Sequence, residues 1–297
     1  MKRIKDFINK DIIIGSIFIL PWVIGVLVFT AFPFLFSLYL SFTKYDMLSS
    51  PQWIGLANYI KIFTNDPKFF ESLFVTFKLV FIAIPLRLVI SLLIALLLVR
   101  PRKGVGIYRS IVYIPSLIGG SVAIAVMWRN LFSVNGLINS LFGTVGLPSD
   151  TNWLGNVVTA LIPIIILMAW QFGSSMLVFV AGLKNISQSY YEAAGVDGAN
   201  KFRMFFSITL PMLSPIILFN LLMQTISGFM VFTPSYLITQ GGPLNSTKVY
   251  AMYMFQEGIN QGKMGYASAL AWIMVIIIGI ATGLILKSSN KWVFYEN

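Results

Sequence analysis

The 297-residue chain contains no cysteine and no histidine. Disulfides and thiol nucleophiles are thereby excluded, together with the His- and Cys-based ligand sets that usually hold zinc or haem. Charge is scarce as well, at 10% of residues, against roughly 25% in a soluble domain. No Gly-x-x-x-x-Gly-Lys-Ser/Thr phosphate loop occurs, so any ATP-driven work needs an ATPase on another chain. No Asp or Glu falls inside a long apolar run. A carrier coupled to a proton or sodium gradient is expected to have one there, and an intramembrane enzyme would be left with hydroxyl, Lys or Arg chemistry alone.

What the chain does have is apolar length. Hydrophobic residues make up 57%, and the mean hydropathy is +0.83. A bilayer-crossing helix needs about 20 mainly apolar residues. Six runs meet that length: Ile12 to Phe42, Leu73 to Val99, Ile107 to Trp128, Val157 to Leu183, Pro211 to Tyr236 and Tyr266 to Leu286. The first is interrupted by Pro21 and Pro33, which neighbouring helices can accommodate. The expected fold class is therefore all-α, a polytopic membrane protein with six transmembrane helices. Its N-terminal run is too long for a cleaved signal peptide.

The net charge of +11 is spread between the apolar runs without forming a basic stripe, which argues against nucleic acid and for membrane topology. Lys and Arg concentrate on the cytoplasmic side. With the N-terminus inside, Lys2, Arg3, Lys5, Lys10, Arg100, Arg102, Lys103 and Arg109 fall there, as do Lys184, Lys201, Arg203, Lys287 and Lys291. Lys44, Lys61, Lys68, Arg129, Lys248 and Lys263 fall outside. The expectation is N-in and C-in: a cytoplasmic N-terminus 1–11, a six-helix domain 12–286 with a cytoplasmic loop 184–210, and a cytoplasmic tail 287–297. Trp53, Tyr59, Trp153 and Tyr250 in the outer loops suit a membrane interface or a short helix lying on it.

The loop before span five mixes small residues, both charge signs and aromatics. Ser187 or Ser189 can cap a helix through Tyr190 to Ala194, which Gly195 and Gly198 interrupt. Asp197 can cap a second segment, Ala199 to Ser207, with Phe202, Phe205 and Phe206 at helical spacing. Pro211 would then open span five. The expected form is two short helices beside the membrane with aromatics that need a covering surface.

These residues also fit Glu-Ala-Ala, three residues, Gly, nine residues, Ile-x-Leu-Pro, filled by Glu192, Ala193, Ala194, Gly198, Ile208, Leu210 and Pro211. The pattern resembles the signature loop of permease subunits of binding-protein-dependent ABC importers. The run Leu237 to Pro243 with its Gly-Gly-Pro, then Ser246-Thr247 and Gly265 to Leu270, is similar to the carbohydrate branch, of maltose and glycerol-phosphate type. The extra N-terminal spans and large outer domain of the maltose permease are absent, so maltose is not implied.

The resemblance implies a bacterial-type cell-membrane subunit without catalytic residues, metal or cofactor, ATP and Mg being bound by partner ATPases. Implied partners are a second, non-identical permease subunit, two ATPase subunits, an extracytoplasmic solute-binding protein and membrane lipid. In the loop it implies close packing on the ATPase by Ala193, Ala194 and Gly198, with Glu192 offering a carboxylate to a basic group. By register it assigns solute contact to Trp170, Gln171, Ser174, Gln224, Ser227 and Gly228. Inter-helix hydrogen bonding and small-residue packing account for the same residues equally well. The implied solute is a sugar or oligosaccharide; a non-sugar such as glycerol phosphate is the alternative, and a secondary carrier or a membrane scaffold would not explain the loop. Two basic residues fall within span two. Arg87 lies about 18 Å along the helix from Val99 at about 1.5 Å per residue, near mid-membrane, where a structural role, pairing with a partner helix or snorkelling, is favoured over facing the pathway and an acidic group of the solute. Lys78 is nearer the outer interface and expected to snorkel.

Overall fold

The computed structural model describes residues 15–100 and 103–294. The expected cytoplasmic N-terminus, the first residues of span one and Arg102 lie outside the described residues. The described residues are mostly helical, and their strand content is one two-residue antiparallel pairing in which Thr43 faces Trp53. It divides into two compact units, residues up to Asn65 with Met254–Met274, and Asp66–Tyr253 with Val275 onward.

In chain order, α1 is Gly15–Ser41 and contains a wide π turn at Leu27–Ala31. The short outer helix α2 is Ala57–Thr64. Long helix α3, Pro67–Leu98, starts six residues before the hydropathy boundary. The Asp66 carboxylate caps it by accepting from the Phe69 N–H, and Pro67 sits where a missing N–H costs nothing. Then follow α4, Val105–Ile118, α5, Val122–Leu131, and α6, Leu137–Thr144. Next come α7, Ile162–Trp170, α8, Gly173–Asn185, and α9, Gln188–Val196. Helix α10 is Lys201–Phe229, with a π turn at Phe205–Thr209. Helix α11, Tyr250–Phe255, runs into a π turn, Gln256–Asn260, and α12 is Met264–Ser289.

Four of these helices, α1, α3, α10 and α12, are individually long and apolar enough to cross a membrane. The count rises to six if α4 with α5 and α7 with α8 are each one span. The third expected span is thus not a straight helix: it bends by 96° between Ile118 and Val122, at Gly119-Gly120-Ser121. Ser121 caps the new helix through the Ile124 N–H. The fourth begins at Ile162, not Val157, and bends by 41° at Gln171-Phe172. The fifth ends at Phe229 rather than near Tyr236.

The larger unit has an apolar core in which Leu79, Ala83, Ile164 and Leu167 are inaccessible to solvent. Trp128 donates its indole N–H to the Pro163 carbonyl at 2.9 Å, meeting the need of a buried Trp for an acceptor. Two aromatics expected at the interface belong to this interior. Tyr250 is fully buried, edge-on to Phe69, and Trp153 packs on the core while donating to the Asn139 Oδ1 at 2.7 Å. The Gly-Gly-Pro stretch is held by the buried Thr247, whose hydroxyl donates to the Gly242 carbonyl at 2.8 Å. In the smaller unit a Cβ on Gly265 would stand 2.1 Å from the Thr43 carbonyl oxygen. Only glycine permits that approach.

Candidate translocation cavity and coupling loop

Bending a helix frees carbonyls that the apolar surroundings cannot solvate, so they need donors from elsewhere. At the α7/α8 break the Gln171 carbonyl accepts from Arg87 Nη2 of α3 and from the Ser116 hydroxyl of α4, the latter at 3.0 Å. The Phe172 carbonyl accepts from the Ser91 hydroxyl at 3.0 Å. Ser116 Oγ in turn accepts from the Ser174 N–H at 3.1 Å. The second break is tied to the first, because the Gln171 side-chain amide donates to the Gly119 carbonyl at 3.1 Å. Small residues make this contact possible: a Cβ on Gly173 would lie 2.9 Å from the Tyr113 Cα. Arg109 closes the far end of α3, its Nε donating to the Leu98 carbonyl at 3.2 Å.

Beside this junction lies a cavity of about 250 Å³. Its walls bring together Arg87 of α3, Gln171 at the break, and Gln224, Ser227 and Gly228 of α10. Ala83 and Ile84 of α3, Met168, Gly120 and the segment Met230 to Pro234 complete it. Four of the residues expected from sequence to meet solute, Gln171, Gln224, Ser227 and Gly228, therefore converge on one cavity. Trp170 and Ser174 are not in its lining: Trp170 packs against Trp128 with ring centroids 5.3 Å apart, and Ser174 belongs to the break network. Arg87 does both jobs, holding the break and lining the cavity.

The cavity amides are partly committed. Gln224 donates to the Ser175 hydroxyl at 2.9 Å and Gln171 to Gly119, which leaves each side-chain oxygen as an acceptor. Ser227 donates to its own helix at the Met223 carbonyl. Gly228 also has a packing role, since a Cβ there would meet Ile84 Cδ1 at 2.9 Å. Phe232, Thr233 and Pro234 were not anticipated. Their signal is Pro234, in the first turn of a further short helical stretch, 233–239, beyond the end of α10 at Phe229, which a hydropathy window averages away.

The loop before α10 differs in detail from expectation. Ser187 caps α9 by accepting from the Ser189 N–H. Gly195 lies within α9 and does not interrupt it, whereas Asp197 is its C-cap and not the cap of the next helix. Asn200 takes that role, accepting from the Arg203 N–H at 2.8 Å. The second expected segment is not a separate short helix, because Lys201 opens α10 and the helix continues through Pro211. The π turn Phe205–Thr209 widens the chain just before Pro211, in whose own turn a regular hydrogen bond is impossible.

Gly198 has a left-handed backbone, φ +75°. Its N–H donates to the Gly195 carbonyl at 3.1 Å, and the Ala199 N–H reaches back to the Ala194 carbonyl at 2.9 Å. That pair of bonds is a Schellman helix stop, which selects glycine at this position. Glu192 and Ala193 are exposed and Ala194 half-buried. Val196 and Phe202 are 89% and 74% exposed, with the Phe206 ring 4.7 Å from that of Phe202, an apolar surface left largely uncovered among the described residues. The Tyr191 hydroxyl meets the buried Thr209 hydroxyl at 2.9 Å, fastening α9 to the π turn of α10.

Comparison with known proteins agrees with this architecture. The family described as binding-protein-dependent transport system inner membrane component matches residues 55–294. A probable ABC transporter permease protein, YesP, of Bacillus subtilis is 53% identical over all of this chain and 96% of its own length. The trehalose/maltose transport system permease protein MalF of Thermococcus litoralis is 34% identical over 92% of each chain. A bacterial ABC transporter involved in import of the acidic polysaccharide alginate has a chain of the same fold, with TM-score 0.80 and 22% identity, covering 97% of this chain and 99% of that one. The chain belongs to the family of binding-protein-dependent transport system inner membrane components, the permease subunits of ABC transporters.

Proposed function

We propose that this chain is one transmembrane subunit of an ATP-driven importer that moves a sugar or oligosaccharide delivered by an extracytoplasmic binding protein. Similarity to a trehalose/maltose permease over 92% of the chain and to an arabinooligosaccharides permease over 93% supports the carbohydrate assignment. The observation that carries it is the convergence of Gln171, Gln224 and Ser227 on one cavity, where amide oxygens and a hydroxyl can exchange hydrogen bonds with sugar hydroxyls. Trp170 and Ser174 hold that lining in place from behind.

The proposed topology is six spans, N-in and C-in, with α4/α5 and α7/α8 each one broken span and the segments 1–11 and 287–297 cytoplasmic. Broken helices that line a cavity are where a membrane tolerates irregular backbone. In this topology α9 faces the cytosol and rests in a cleft of an ATPase subunit. Ala193, Ala194 and the exposed Phe202 supply apolar contact, and Glu192 a carboxylate. ATP and Mg are bound by the ATPase subunits, and a second permease completes the pathway.

The test is uptake of labelled oligosaccharides into vesicles containing the complete complex. The proposal requires accumulation that depends on ATP, on the binding protein and on this chain. Accumulation that persists without ATP but collapses with an ion gradient would replace it with a secondary carrier.

A further inference from the structure

Arg87 is the one charged residue in the cavity lining. Its guanidinium is only partly used. Nη2 donates to the Gln171 carbonyl and lies 3.5 Å from the Ser174 hydroxyl. Nε is buried without a partner, and Nη1 makes no hydrogen bond within the described residues. Arg87 forms no ion pair with any described residue. The surrounding helices supply no compensating charge: α4, α5, α7, α8 and α10 contain no Asp or Glu, and the one carboxylate of α3, Glu71, is sixteen residues away in sequence.

Holding the Gln171 carbonyl does not require a cation, since the Ser116 hydroxyl already donates to it. A hydroxyl or amide could supply the second bond without the cost of a charge in an apolar span. A planar guanidinium with unused donors beside a cavity is suited to a carboxylate, which accepts parallel N–H bonds from it. The nearby Gln171 and Gln224 oxygens remain for sugar hydroxyls.

We infer that Arg87 is a specificity-determining residue that receives an anionic group, so the solute is an acidic saccharide carrying carboxylates of the uronate kind. This rests on the transport function proposed above and narrows its substrate class.

The test uses the complete importer in vesicles with ATP, offered labelled trisaccharides of galacturonate and of mannuronate alongside galactotriose and maltotriose. A hexuronate trisaccharide is expected to be taken up. Arg87→Gln is expected to lower that uptake at least tenfold at equal amounts of chain in the membrane, with Arg87→Lys recovering part of it. Gln224→Glu leaves Arg87 in place but adds a competing carboxylate to the same cavity, and is also expected to lower hexuronate uptake at least tenfold. If Arg87→Gln fails to reach the membrane, Gln224→Glu alone decides. Uptake of the neutral trisaccharides without the hexuronates overturns the inference and leaves the sugar-importer function intact, as does unchanged hexuronate uptake in Gln224→Glu. No ATP-dependent uptake of any trisaccharide counts against the transport function itself.

Discussion

Substitutions at Gly198 separate two reasons for a glycine in the loop between α9 and α10, the proposed ATPase contact. Its φ of +75° is unfavourable for a side-chain-bearing residue, yet a Cβ built there meets nothing within 4 Å. Within this chain the cost is therefore conformational. An Ala in the left-handed region costs about 1 kcal/mol, roughly a fivefold loss of the native loop at 1.4 kcal/mol per tenfold. Asn tolerates this region better, and a β-branched Val worse, by about another 1 kcal/mol or more. If α9 must end with this turn to engage the ATPase, ATP-driven uptake should fall in the order Gly, Asn, Ala, Val, with equal amounts of chain in the membrane. A surface pressed against the ATPase at Gly198 would instead rank by size, with Ala the mildest and Asn worse. That order, or normal uptake in Gly198→Val, would refute the backbone explanation. Gly198→Glu combines strain, bulk and charge and is expected to abolish uptake on either explanation.

Tyr191→Phe and Thr209→Val each remove the hydroxyl pair that fastens α9 to α10, worth about 1 kcal/mol. Each should reduce uptake several-fold, and the double variant should be no worse than the single ones, as a double-mutant cycle on coupled ATPase activity will read. Ser116→Ala deprives the Gln171 carbonyl of one donor and the Ser174 N–H of its acceptor. Its expected cost is about 1 kcal/mol, given that hydrogen bonds between membrane helices average about 0.6 kcal/mol, measurable as a lower Tm of the complex in detergent. Gly173→Val drives a side chain into the α4 backbone and should cost about 1–3 kcal/mol by overpacking, seen as lost Tm and lost uptake together. Purified alone, the chain should not hydrolyse ATP; hydrolysis by a contaminant-free preparation would overturn the transport assignment.

How much of this was legible in sequence depends on whether the cause was local. Helix α3 announced its start through Asp66 and Pro67, a cap and a first-turn proline, but a hydropathy window places the boundary at Leu73 because Lys68 and Glu71 depress the average. The sharp bend in the third span was likewise visible as Gly119-Gly120-Ser121, two flexible residues and a cap, and was hidden by judging the run on length. The bend at Gln171-Phe172 has no such local warning beyond Gly173. It is stabilised by Arg87, Ser91 and Ser116, which lie 55 to 84 residues away.

The site shows the same division. Gly198 was assigned to the loop by pattern, and its positive φ supplies the physical reason. Asp197 and Asn200 are both good caps, and choosing between them required the position of the Schellman turn. Proline misled most. Pro211 was expected to start a helix, yet a π turn carries α10 through it, and α1 has the same arrangement with Leu27–Ala31 ahead of Pro33. The register of the resemblance points to Gln171, Gln224, Ser227 and Gly228, and the cost of a polar group in an apolar span independently singles out the first three. Met230 to Pro234 escaped that criterion, being mainly apolar and lining the cavity by position alone.

The most direct measurement is accumulation of labelled oligosaccharide in right-side-out vesicles loaded with ATP and carrying both permeases and the ATPases, with binding protein outside. Accumulation should require ATP and should vanish when this chain is omitted or when Gly198→Glu replaces it. Uptake that continues without this chain, or that runs on an ion gradient with no ATP present, would contradict its role as a coupled permease subunit.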